Sequence, residues 1–191
     1  MASFLIVLAS ALGSLSCVTE EIPGASEGSH RFEGILLENT CGATAVPAQE
    51  LIEMDVQLRR DSTLAVWRPQ SSPMLLGTIS DAGDWRIRIA STVGITGADP
   101  LTGAPGCSLD QVETIQFAAD PESDAPRYVG TTRVQFVPTL GSNCANTLAI
   151  VGGPFAELPC ELEYELTSEP IDEIFDEPVD DSGDANDGSS S

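Results

Sequence analysis

The stretch Ile52-Glu53-Met54-Asp55-Val56-Gln57-Leu58-Arg59 decides the fold. Its apolar residues fall at every second position with a polar residue between them, and an extended strand is the conformation that sends such neighbours to opposite faces. A helix would split the apolar set onto two opposed sides. The same alternation returns in Trp85, Ile87 and Ile89 against Arg86 and Arg88. It returns again in Tyr128, Gly130, Thr132, Val134 and Phe136 against Arg133 and Gln135, and in Leu162, Tyr164 and Leu166 against Glu161, Glu163 and Glu165. One face of each strand must therefore meet a common core.

Working outward, less regular strands are predicted around residues 31–39, 63–68, 74–80 and 110–118. Turn chemistry separates them at Cys41-Gly42, Arg60-Asp61-Ser62, Pro69 to Pro73 and Asp81 to Asp84. No segment carries a sustained helical stripe; residues 145–151 suit a short helical turn or a further strand. About eight strands with no helices between them pair as an antiparallel meander. The expected class is all-β, as a closed or partly open barrel, with a two-sheet β-sandwich as the alternative.

The ends of the chain read differently from its middle. Residues 2–16 are apolar or small and uncharged, too short for a membrane-spanning helix and of the length of a signal-peptide core, so 1–16 is expected to be an export signal. Its end, Leu12-Gly13-Ser14-Leu15-Ser16-Cys17, resembles the lipobox of bacterial lipoproteins, in which a Cys after small residues is acylated and becomes the N-terminus. That resemblance implies lipidation at Cys17, anchoring to a membrane through the lipid and, with Val18 rather than Asp following, the outer membrane. Cleavage before Cys17 without lipidation, giving a secreted or periplasmic protein, is the alternative. Residues 17–29, with Glu20, Glu21, Pro23, Gly24, Ser26 and Gly28, read as the lipidated N-terminus and a polar tether, and 30–168 as the folded domain. From Glu169 to Ser191 the chain holds nine acids and no base, and a disordered acidic tail is expected there. Its Asp180–Gly188 stretch resembles a calcium loop but lacks the alternation of acids past Asp184 and the closing Glu.

Five cysteines are an odd number for an exported protein, and lipidation of Cys17 leaves four, enough for two bridges. In an up-and-down meander Cys41, Cys107, Cys144 and Cys160 all gather at one end. Of the three pairings, Cys41 with Cys160 and Cys107 with Cys144 join neighbouring strands, as the short reach of a disulfide requires. No C-x-x-C spacing points to redox or metal chemistry.

Charge and composition exclude several functions. The net charge of −22 argues against nucleic acid as a partner. His30 is the sole histidine and is expected to be exposed at the tether boundary, which leaves no base for a nucleophile and no multi-histidine zinc site. Glu161, Glu163 and Glu165 alternate onto the solvent face and are read as solvated rather than catalytic. Gly83-Asp84-Trp85 resembles the G-x-W of lipocalins, a family of small-molecule carriers with a cavity inside the barrel. On that resemblance Trp67, Trp85, Tyr128, Phe136 and Tyr164 are the candidate cavity lining. The leading expectation is a non-catalytic lipoprotein of the cell envelope with no cofactor and no metal, serving as an interaction or structural module for a protein or small-molecule partner. A lipocalin-like carrier is second and a hydrolase without a recognisable site third.

Overall fold

A computed structural model describes residues 22–46 and 48–172. Eight strands follow one another in chain order: β1 (Ala25–Asn39), β2 (Leu51–Asp61), β3 (Leu64–Pro69), β4 (Leu75–Ile79), β5 (Trp85–Gly94), β6 (Ser108–Ala119), β7 (Tyr128–Pro138) and β8 (Cys160–Ile171). Each pairs antiparallel with the next, and β8 returns to β1, so the sheet closes as an up-and-down barrel. The β1–β8 ladder, from Ser29↔Ile171 to Asn39↔Leu162, rules out the sandwich alternative. Residues 145–151 form two short 3-10 turns rather than a strand.

The barrel claims more chain than the alternation outlines. Ala25 to Ser29, placed in the tether by composition, already belong to β1 and pair with Arg60 to Gln57 of β2, and β8 continues past Ser168 to Ile171. Composition misleads here because Gly28 is a bulge rather than a linker residue. The β1–β2 register shifts between Ser26 and Gly28, and Gly28 has φ +99°, a backbone state that costs an L side chain but not glycine. Arg59 then fastens the start of the strand by donating from Nε and Nη2 to the Gly24 carbonyl, at 3.0 and 2.7 Å.

Two apolar clusters fill the interior. At one end Phe32, Trp67, Trp85, Phe117 and Tyr128 pack ring against ring, with Trp85 stacked on Phe117 at 5.4 Å and Phe32 edge-on to Phe117 at 5.2 Å. Buried rings at these separations contribute about 0.5–1.5 kcal/mol per pair beyond the area they remove from water. Gly130 makes this plug feasible: a Cβ there would lie 2.0 Å from the Gln116 carbonyl oxygen and 2.7 Å from the Phe117 Cβ. The opposite end is held by the Cys41–Cys160 and Cys107–Cys144 disulfides, which pack with Leu109, Phe155, Leu162 and Tyr164. Thr40 adds a local clasp, donating from its amide to the Glu161 carbonyl while its Oγ1 accepts from the Glu161 amide at 2.8 Å.

His30 departs from the expectation of exposure. It lies inside the aromatic end, 1% exposed, edge-on to Tyr128 at 5.0 Å. Because β1 starts five residues earlier than composition suggests, His30 falls on the same inward parity as Phe32.

Candidate functional site

The wall of the barrel is not of even height. β3 and β4 are short, because Pro69 and Pro73 bracket the turn between them and a proline withholds a ladder donor. Its neighbours run on. β2 extends past its last β3 pair, Val56↔Pro69, back to Leu51. β5 extends past its last β4 pair, Gly77↔Ile87, out to Gly94. Among the described residues, Arg88–Gly94 pairs with β6 alone. The outcome is a lateral notch between β2 and β5, above the β3–β4 turn.

This notch holds a cavity of about 600 Å³, within the range of small-molecule sites. Met54, Trp67, Leu75, Ile89 and Ile115 form its apolar lining, and Gln70 to Pro73 form its sill. On the rim Arg31 donates two hydrogen bonds to Asp55, Nε to Oδ1 at 2.7 Å and Nη2 to Oδ2 at 2.9 Å, which holds the Asp55 carboxyl below its ordinary value. Glu53 stands beside them.

Glu113 reaches the cavity from the inner face of β6. Its parity is that of Leu109, Ile115 and Phe117, all buried, so its carboxyl sits inside the wall between Ile89 on β5 and Val134 on β7. Burial pushes its pKa up, and the nearby Thr132 hydroxyl offsets part of that rise. Thr132 itself is 3% exposed, and its Oγ1 makes no hydrogen bond of good geometry.

The candidate lining residues divide. Trp67 belongs to the aromatic plug and also lines the notch; Trp85 and Tyr128 belong to the plug alone; half-buried Phe136 and buried Tyr164 pack at the disulfide end. Burial raises the pKa of both tyrosine hydroxyls, with the Glu27 charge adding to it at Tyr128. The five therefore do not surround one central calyx. A second depression, of about 800 Å³, borders Trp85 and Phe117 outside the plug, next to Arg86, Gln116 and Thr131. Cys41, Cys160, Cys107 and Cys144 meet in the two bridges already described. Cys17 and the acidic tail from residue 173 onward lie outside the described residues.

Glu161 and Glu163 stand on the outer face, where Arg133 Nη2 donates to Glu163 at 2.9 Å and its Nε lies 3.9 Å from Glu161. Glu38 completes a carboxylate group with these two, and the guanidinium answers much of its charge.

Sequence reasoning passed over Glu113, although a signal was present. Residues 110–118 alternate irregularly because Gln111 and Glu113 occupy positions of the same parity as Ile115 and Phe117. A polar pair on the core-facing parity of a strand marks an interior opening. Comparison of the chain with protein-family models, with curated proteins and with solved structures yields no match.

Proposed function

We propose that the protein is a non-catalytic binding module of the cell envelope, anchored through a lipid on Cys17, that takes a small ligand in the notch between β2 and β5. The observation that carries this reading is the cavity itself: an apolar lining that ends at one half-buried carboxyl, in a wall braced by two disulfides. Sites of this make-up fix a ligand by burying its apolar part and orienting its polar group. A non-catalytic role is supported by His30, whose ring is enclosed by Phe32 and Tyr128 and whose Nε2 lies 3.2 Å from the Glu27 carbonyl, away from solvent and from the notch.

Native mass spectrometry of the gently extracted protein tests the binding role. The expected result is a stoichiometric adduct beyond any acyl chains, and its loss when Ile89→Trp fills the cavity. A clean mass, unchanged by that substitution, contradicts the reading. Anchoring is tested separately: Cys17→Ser is expected to move the protein out of the membrane fraction, and retention there contradicts lipidation.

A protein partner is a second reading, favoured by the edge of β5. Ala90 to Gly94 are exposed, uncharged and paired on one side only among the described residues, which suits strand addition. Cross-linking in cells from Thr92 is expected to capture one partner at a fixed site on this reading, and diffuse or no capture argues against it.

A further inference from the structure

We propose that the notch selects a cationic amphiphile, an ammonium group carrying an apolar tail, with the head on Glu113 and the tail along Trp67, Met54 and Ile89. This deepens the binding role given above and rests on it. Charge at the site is one-sided: Glu53, Asp55 and Glu113 face a single cation, Arg31, and that guanidinium is already spent on Asp55 through both of its hydrogen bonds. Glu113 has no cation of its own among the described residues and only the Thr132 hydroxyl nearby. A lone carboxyl in an apolar recess is disfavoured when ionised, and a bound ammonium replaces the lost hydration with a charge-assisted hydrogen bond.

Thr132 adds to this. Its buried Oγ1 lies on the inward face of β7 beside Glu113 and has only a poorly aligned contact with that carboxyl. The carboxylate and the neighbouring hydroxyl oxygen both offer acceptors to an N–H donor, whereas an anionic head would be repelled by the Glu113 carboxylate. Trp67, Met54 and Ile89 line the same notch and supply the apolar surface for the tail. The overall charge of −22 draws cations toward the molecule before they reach the notch.

The test is calorimetric titration of the full exported protein with n-octylammonium and with n-octanol, which share a tail and differ in the head. Wild type is expected to bind the ammonium about tenfold more tightly than the alcohol. Glu113→Gln, nearly isosteric, is expected to abolish that preference while changing the octanol affinity less than about threefold, and Glu53→Gln on the rim is expected to retain most of it. Equal affinities in wild type, or a preference that survives Glu113→Gln, overturn the assignment of the head group and leave the notch standing as a binding site. Binding of neither probe overturns both.

Discussion

From β5 through β6, β7, β8 and β1 to β2 the ladders run eight to eleven residue pairs, while β2–β3, β3–β4 and β4–β5 run six, four and three. The long side carries the closure of the barrel and both disulfides. The short side carries the opening. Stability and access are thus assigned to different arcs of one sheet, and substitutions on the two arcs should differ in kind: those on the long arc unfold the domain, and those around the notch change what it accepts.

The largest effect should come from opening the long side. Replacing Cys41 and Cys160 together by Ala removes a bridge spanning 119 residues and is expected to cost about 5 kcal/mol in urea denaturation, on a loop-entropy estimate. Removing Cys107–Cys144, with a separation of 37, is expected to cost about 4 kcal/mol. If the shorter bridge mattered more, the closure of β1 on β8 would not be the dominant constraint.

Next comes the plug against the notch. Phe117→Ala, in the centre of the aromatic cluster, should cost about 3–5 kcal/mol. Leu75→Ala, half-buried in the notch lining, should cost about 1–2 kcal/mol in the same assay. Equal costs would erase the distinction between the arcs.

Two titrating groups, buried His30 and half-buried Glu113, sharpen the comparison through pH. Burial holds the His30 pKa below its ordinary 6.5, so the unfolded chain takes up a proton that the folded protein resists. Stability is full above pH 6.5 and falls as pH drops toward the folded-state value, and His30→Leu should flatten that fall. Glu113 runs the other way. Its folded pKa is raised, so stability is greatest below its ordinary 4.5, declines as pH rises through the folded value and then levels. Glu113→Gln should remove this decline and raise stability at neutral pH, as expected where a site gives up stability for function. The smallest change belongs to the outer face: Arg133→Ala should leave the urea midpoint nearly unmoved, since that side chain is 47% exposed and its ion pairs are hydrated.

Much of the long arc is legible in the sequence. Alternation at Ile52–Leu58, Tyr128–Phe136 and Leu162–Leu166 reports strands with one buried face, and the number and order of strands then leave few ways to place four cysteines within bonding reach. The opening is less legible. Pro69 and Pro73 announce a turn, but how far β2 and β5 outrun it depends on register, which is set by pairing across the whole sheet. His30 and Ala25–Ser29 are misread for a related reason: glycine and serine near a chain end look like a tether, whereas Gly28 sits in a bulge that lets β1 continue. Glu113 is hidden because a polar residue among irregular alternation weakens the strand signal in the very segment where it marks the cavity.

The most direct test of a notch on the short side uses the two tryptophans as reporters. Trp67 lines the cavity and Trp85 is locked in the plug. Titration of 15N-labelled protein with n-octylammonium should move the Trp67 indole N–H resonance progressively to saturation and leave that of Trp85 in place. Movement of Trp85 alone, or of neither at saturating probe, would contradict the account.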